Sequence, residues 1–407
     1  MIILGIETSC DETAVCVVEA TGDLRSPFFS VLGNGLFSQV ALHAPYGGVY
    51  PTIAKREHAR NLPSLLQKAL TEAGLFSVLD KSNSSYPSYS PLLWQKAKEI
   101  LSKEDGLLET FTELVSPLKR PNIDLITVTV GPGLEPALWV GISFAHALSV
   151  LWDIPVQAVN HMEGHITSVL LKTGEIKNNT SPTPDFHLQT STPIQFPTLA
   201  LLISGGHTEL VSIEHWGKYR KIGQTRDDAV GEAFDKVARM LSLPYPGGPE
   251  VSRKAEKART EHTPKTFTLP RPMIHSKDFD FSFSGLKTAV LYTLKEHASL
   301  TEEMLCDMCR EFEDAVTEVF LTKTKKALEE VGAHTLIIAG GVVANTHIRK
   351  AFGEMISHEF PEVTLCIPEK EHATDNALMI ATAGYIEHLL HPKETRSLLK
   401  ADGNMSF

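Results

Sequence analysis

The polarity pattern along the chain is written mostly in short, continuously apolar runs separated by small polar turns. "IILGI" (2–6) predicts a buried strand, "ETSCDET" a polar turn and "AVCVVE" (14–19) the returning strand. The same phrase recurs later: "LALLIS" (199–204), the turn "GGHT", then "ELVSI" (209–213). Two other runs lead from a strand through glycines into a helix. They are "LITVTVGPGLEPALWVGISFAHALSVLW" (125–152) and "TLIIAGGVVANTHIRKAF" (335–352). "EEMLCDMCREFEDAVTEVF" has helical spacing, with Leu305, Met308, Phe312, Val316 and Val319 on one face. Strands alternating with helices predict an α/β fold, and the repeated hairpin predicts two similar halves. Glycines at strand ends let a backbone approach closely and leave N–H groups for an anion. Together these features suggest a nucleotide cradled between the halves.

Two stretches break the pattern and read as insertions without catalytic residues. Residues 76–106 begin Ser/Pro/Tyr-rich and end helical; residues 173–197 are polar and proline-rich, with the character of a flexible loop. The expected division is a first lobe over 1–157, onto which a helix at about 377–392 packs, and a second over 158–376 carrying the metal and nucleotide residues.

At 407 residues, with 42% hydrophobic and 21% charged residues, the composition is that of a soluble globular protein of two domains. The opening "MIILGIETSC" has no basic leader, so neither a signal peptide nor a membrane anchor is expected, and the sequons at Asn83 and Asn179 are chance. Five scattered cysteines fit a reducing compartment. Cys306 and Cys309 lack a second pair to complete a zinc site and read as helix core. A net charge of −11 excludes a stand-alone nucleic-acid binder. An RNA substrate would need local basic patches, for which Lys55, Arg56 and Arg60, or Arg253, Lys254, Lys257 and Arg259, are the candidates, or partner proteins.

The stretch "NHMEGHI" places His161 and His165 four apart. On a helix they share a face, as metal ligands or as two ordinary histidines. The acid between them stands at the wrong offset for the zinc-protease H-E-x-x-H.

Nine stretches, in order from residue 4 to about 385, decide between these readings: "GIETSCDET", "GGVYPTIAKREHARNLP", "GPGLEPALWVGI", "NHMEGHI", "LLISGGHTEL", "DDAVGEAFDKVARMLSLPYPGGP", "DFSFSGLKTA", "AGGVVAN" and "ATDNALMIA". With them the chain resembles the bacterial branch of the TsaD family, which makes N6-threonylcarbamoyladenosine in tRNA. The resemblance implies the actin-like/sugar-kinase/Hsp70 (ASKHA) fold, two duplicated α/β lobes around a nucleotide cleft. It implies a divalent metal on His161, His165 and Asp375, Fe(2+) foremost, with Zn, Mn or Mg as alternatives. It assigns Leu202, Ile203, Ser204, Gly205 and Gly206 to the phosphate of the substrate adenylate, Asp235 to its ribose, Gly248 to the same pocket and Asn345 to the nucleoside. Read alone, Asp235 is equally a helix-surface acid. Asp11 and Glu12 become candidates for positioning or deprotonating the attacking amine, against a role for Asp11 in capping the turn.

The implied reaction moves the threonylcarbamoyl group of L-threonylcarbamoyladenylate to N6 of adenosine 37 in tRNAs reading codons that begin with A. The implied partners are tRNA, the adenylate, a TsaB-like paralogue and a TsaE-like ATPase, with no membrane, in the cytoplasm or an organellar matrix. A metallopeptidase (the historic O-sialoglycoprotein endopeptidase label) and an ASKHA-type kinase or ATPase are the alternatives, and a non-enzymatic nucleotide-binding scaffold is a third. Val343, Ala373 and Ala377 depart from the family's usual residues beside Asn345 and Asp375.

Overall fold

A computed structural model describes residues 1–78, 89–171, 194–297, 299–392 and 399–407, and the backbone of 173–174 and 187–188. The chain forms two compact units. The first gathers Met1–His43, Val49–Pro193 and Asp375–Phe407; the second holds Ala44–Gly48 and Ile194–Thr374.

In the first unit the apolar runs become β1 (Ile2–Glu7), β2 (Glu12–Thr21), β3 (Phe28–Ser38), β4 (Leu125–Gly131) and β5 (Val156–Asn160). Two short strands, β6 (Thr173–Gly174) and β7 (His187–Leu188), complete a seven-stranded sheet in the order β5-β4-β1-β2-β3-β7-β6. β1, β2 and β3 are antiparallel neighbours, whereas β4 and β5 run parallel to β1. In the second unit β8 (Thr198–Ile203), β9 (Thr208–His215), β10 (Lys218–Gln224), β11 (Thr335–Ala339) and β12 (Thr364–Cys366) follow the order β10-β9-β8-β11-β12. Again the first three are antiparallel and the last two parallel to β8. The repeated order 3-2-1-4-5 is the duplicated α/β architecture of the ASKHA fold.

The first unit's core joins Leu4, Ile6, Val15 and Val17 of the sheet to Leu62, Leu66, Phe111, Phe144 and Trp152 of its helices, all buried. The helix Glu135–Trp152 starts with Pro136 and an acid in its first turn, both suited to a helix N-terminus. The helix Ala377–Leu390 lies against the sheet so closely that a Cβ on Gly384 would stand 2.2 Å from Thr127 Cγ2. Only glycine permits that approach. The C-terminal residues also dock here: Asp402 N–H donates to the Val130 carbonyl (2.8 Å) and Gly133 N–H to that of Gly403 (3.2 Å).

The second unit packs Leu199, Leu201 and Ile338 against Phe234, Phe281, Phe283, Phe312, Phe320 and Phe352, each worth about 1.5–3 kcal/mol when fully buried. Its long helix, Glu302–Val331, starts at Thr301, whose hydroxyl accepts from Met304 N–H (3.2 Å), and stops at Gly332 with φ 63°. Cys306, Met308, Cys309, Phe312, Val316 and Val319 of this helix are buried, and Leu305 is partly buried.

The expected boundary at residue 157 differs from this division. β5 is hydrogen-bonded into the first sheet and the helix His161–Thr167 follows it directly, so the histidines lie in the first unit and the chain passes to the second at 193/194. The polar, proline-rich stretch that reads as an internal insertion ends where one unit gives way to the other. Of the two insertions, 76–106 contains the helix Pro91–Leu101, with 79–88 outside the described residues. The 173–197 stretch supplies β6 and β7 at the sheet edge; residue 172, 175–186 and 189–193 lie outside the description.

Candidate metal centre and nucleotide-binding residues

Asn160 ends β5 and caps the next helix through its side-chain oxygen, which accepts from Met162 N–H at 2.9 Å. His161 and His165 therefore occupy the first and second turns of one helix face, their rings 4.7 Å apart and edge to face. Asp375 immediately precedes Asn376, which caps Ala377–Leu390 by accepting from Met379 N–H. Asp375 Oδ1 lies 3.4 Å from His161 Nε2 and 3.2 Å from His165 Nε2, and one ligand atom from each of the three falls within 4.8 Å of the others.

His165 is fully buried, yet neither ring nitrogen makes a hydrogen bond; its Nε2 is near Asp375 without the alignment a bond needs. An orphaned imidazole nitrogen in the interior is costly, and a cation facing it relieves that cost. The residues present thus fit a divalent metal on two imidazoles and a carboxylate.

Behind His161 stands Glu7, fully buried at the end of β1. Its Oε2 is 3.2 Å from His161 Nδ1, and its carboxylate accepts from Thr129 Oγ1 and Ser9 N–H. Ser9 Oγ is also 3.2 Å from the same ring nitrogen. A carboxylate on the far nitrogen of a metal-facing histidine fixes its orientation and raises its basicity. Burial works to raise the Glu7 pKa, but the adjacent His161 prevails and lowers it. Asp375 goes the same way, held well below the usual carboxylate range by His161 and His165 against its burial. Burial alone would lower His161, and the two carboxylates lift it well above its ordinary value.

Asp11 and Glu12 occupy the β1–β2 turn. Burial, together with the charges of Asp11 and Asp375, pushes Glu12 up to about 10, although Ser38 Oγ donates to it at 3.2 Å. With Glu7, this makes four carboxyl groups in one neighbourhood, an anionic site that favours a cation. Glu7 escaped the sequence reading because it ends an apolar run. A carboxylate closing an otherwise buried strand was the available signal, since it must have a partner there.

The second unit's turn is of another kind. Leu202 and Ile203 are wholly buried in β8, so only their backbone is available. Ser204 N–H donates to the His207 carbonyl and His207 N–H to Ser204 Oγ, closing the turn. Nothing stands within 4 Å of a Cβ on Gly205 or Gly206. Gly340, at φ 98°, passes beneath, where a Cβ would meet the Ile203 carbonyl at 2.5 Å. Asp235, Gly248 and Asn345 converge on the helix Gly247–Thr260. Asp235 Oδ1 accepts from Gly247 N–H (2.8 Å), a Cβ on Gly248 would meet nothing within 4 Å, and Asn345 Nδ2 donates to Ser252 Oγ (2.7 Å). Asn345 also donates to Glu313 Oε1 and caps Thr346–Glu359 by accepting from Ile348 N–H. Its amide is heavily engaged in scaffolding, which the sequence did not reveal.

Every member of the two basic clusters has a carboxylate partner, while Arg56, Arg60 and Arg253 stay exposed. Lys55 pairs with Glu104, Arg56 and Arg60 with Glu57, Arg253 with Glu250, Lys254 and Lys257 with Glu302, and Arg259 with Glu313 and Asp314. Val343, Ala373 and Ala377 are fully buried apolar neighbours of Asn345 and Asp375.

The family profile of TsaD, tRNA N6-adenosine threonylcarbamoyltransferase, matches residues 30–79 and 109–382. The protein of that name from Polynucleobacter asymbioticus is 39% identical over 398 residues, covering 96% of this chain and 93% of the relative. The one from Chromobacterium violaceum is 39% identical over 393 residues, covering 94% and 92%. Among solved structures, component A of the (R)-2-hydroxyglutaryl-CoA dehydratase of Acidaminococcus fermentans is similar at a TM-score of 0.45 and 12% identity, covering 95% of this chain and 98% of that one. The chain belongs to the TsaD family of tRNA N6-adenosine threonylcarbamoyltransferases.

Proposed function

We propose that the chain transfers the threonylcarbamoyl group of L-threonylcarbamoyladenylate to N6 of adenosine 37 in tRNAs reading codons that begin with A. The observation that carries this is full-length kinship with threonylcarbamoyltransferases, through the stretches that hold His161, His165, Asp375 and the Ser204–His207 turn. The donor is a mixed anhydride with AMP as leaving group, and the acceptor an exocyclic amine whose lone pair is delocalised into its ring. Catalysis must therefore supply position, stabilisation of developing charge and proton removal.

The residues divide these tasks. The strand end Leu202–Ser204 presents the backbone N–H groups of Gly205 and Gly206 to the phosphate, where bare glycines leave room for close approach. Asp235 takes the ribose, Gly248 leaves space at the start of its helix, and Asn345 orders the wall on the nucleoside side. Asp11 orients the attacking amine and accepts its proton. Glu12, the next residue, is a second candidate for positioning that amine. His161, His165 and Asp375 would hold the metal, with Glu7 fixing His161. Two imidazoles and a carboxylate suit Fe(2+) first, and Zn, Mn or Mg less well. When bound, that ion supplies a Lewis acid for a carbonyl or phosphoryl oxygen.

No helix of the described residues is long and apolar enough to cross a membrane; the reading places the enzyme in the cytoplasm or an organellar matrix. With a net charge of −11 and its basic clusters internally paired, the chain needs help to hold tRNA, and a TsaB-like paralogue and a TsaE-like ATPase are the assigned partners. The test is nucleoside analysis of tRNA incubated with the protein, those partners, an adenylate-forming enzyme, threonine, bicarbonate and ATP. Threonylcarbamoyladenosine should appear only when this chain is present. Unmodified adenosine 37 with all components active would refute the reading.

A further inference from the structure

A buried chain of polar side chains runs beside the β1–β2 turn and is used by none of the roles above. Thr13, Gln39, His43 and His58 are all fully buried. His58 lies on the helix Pro51–Glu72, and Tyr50 is that helix's N-cap residue.

The hydrogen-bond directions in this chain follow from one backbone donor. Tyr50 N–H points to His43 Nδ1 at 3.2 Å, so Nδ1 is an acceptor and the proton of neutral His43 sits on Nε2. That N–H donates to Gln39 Oε1 at 3.2 Å, which fixes the orientation of the Gln39 amide. Gln39 Nε2 then faces Thr13 Oγ1, the Ala54 carbonyl and His58 Nδ1 at 3.4–3.5 Å. His58 Nε2 is 3.0 Å from the Cys10 carbonyl, which only accepts, so His58 also carries its proton on Nε2 and receives the Thr13 hydroxyl at Nδ1 (2.7 Å). Burial pulls His58 down to about 4 and lowers His43, so both rings are neutral, as this pattern requires. Gln39 contributes a second time, its backbone N–H donating to the Asp11 carbonyl at 3.0 Å. The peptide carbonyls on both sides of the Asp11 Cα are therefore held by one network.

We propose that His58 is a positioning residue for the transfer reaction, its Nε2–H fixing the Cys10 carbonyl and thereby the placement of Asp11. This rests on the transferase reading above. The effect should fall on kcat, because a displaced acid misplaces a proton acceptor without altering how donor or tRNA is held.

Three variants test it in the reconstituted reaction: His58→Phe, which fills the space without a donor; His58→Gln, whose amide keeps an N–H for Cys10; and Thr13→Val, which removes the proton aimed at Nδ1. His58→Phe should lower kcat roughly 10- to 100-fold, the range that an unpaired buried acceptor implies, with KM for adenylate and tRNA and metal content near those of the parent. His58→Gln should recover most of that loss, and Thr13→Val should fall between them. Should His58→Phe fail to fold, the kcat-only defect of Thr13→Val beside a near-normal His58→Gln carries the inference. Parental kcat in His58→Phe, a defect confined to KM, or His58→Gln as impaired as His58→Phe would overturn it. A parent protein that forms no modified nucleoside would instead remove the transferase reading itself.

Discussion

The β1–β2 and β8–β9 turns occupy the same place in the two copies of one topology and have been given opposite chemistry. In the first, the pairing ends at Glu7 with Ala14, and the stretch between holds a buried Asp11 and a half-buried Glu12. In the second, pairing ends at Ile203 with Thr208, and the tighter turn holds two glycines with open space where their side chains would be. The first turn concentrates negative charge that burial makes expensive, so it calls for a cation. The second exposes backbone N–H groups and no carboxylate, so it suits an anion. Duplication supplied two equivalent strand ends, and the residues gathered at each set what it attracts.

The largest test of this contrast removes the ligands proposed for a cation near the first turn. His161→Ala and Asp375→Ala should each lose bound metal and lower transfer by more than about 100-fold, beyond what changes around a metal's ligands usually cost. Metal analysis beside circular dichroism checks this; parental metal content in both folded variants would end the assignment.

The second turn should answer to space and not to charge. Gly206→Ala adds a Cβ where nothing stands within 4 Å and should keep the melting temperature within about 2 °C, yet crowd the amides and weaken adenine-nucleotide binding about 10-fold, or about 1.4 kcal/mol. Asp235→Ala should cost a similar 1–3 kcal/mol, roughly, by leaving polar groups unpaired. Calorimetry with AMP decides both, and unchanged affinity would take the residue out of the nucleotide's surroundings.

Gly340→Ala separates architecture from binding. Its φ of 98° and the 2.5 Å approach to Ile203 O leave no place for a Cβ, so stability should fall by about 1–3 kcal/mol in denaturant unfolding. A neutral change would mean that the strand end relaxes freely.

The remaining test concerns pH. Glu12 titrates near its ordinary 4.5 when unfolded and at about 10 in the fold, so between those values the native state binds the extra proton. Stability tied to this group is therefore complete below about 4.5 and is lost as pH rises toward 10. Glu12→Gln, which has no charge to bury, should gain on the parent in metal-free melting curves as pH is raised from 5 to about 8.5. Added divalent cation should narrow the gap; a gap that shrinks with pH in metal-free protein would contradict the burial of this acid.

Much of this was legible in the sequence because strand–turn–strand repeats are local patterns. The hairpins, the strand-to-helix glycine turns and the apolar face of Glu302–Val331 all follow from spacing. His161 and His165 were visible as a pair, but Asp375 joins them through the packing of a helix from the far end of the chain, and only family resemblance named it. The expected boundary at 157 and the division at 193/194 differ because a polar, proline-rich stretch looks alike whether it decorates a lobe or connects two. The Thr13–Gln39–His43–His58 network was invisible because its members are single polar residues on different elements, with no period to betray them.

The first unit is assembled from three separated segments, the last beginning at Asp375. During synthesis its sheet strands emerge early, then wait while the whole continuous stretch Ile194–Thr374 is made. A domain that emerges as one piece is able to fold as it appears. The residues proposed to hold a metal must await the third segment, since until the helix Ala377–Leu390 arrives, His161 and His165 have no Asp375 opposite them and Gly384 no sheet to meet. A chain cut before residue 375 would hold every residue of the second unit and a first unit without its third segment, and so without Asp375 opposite the two histidines.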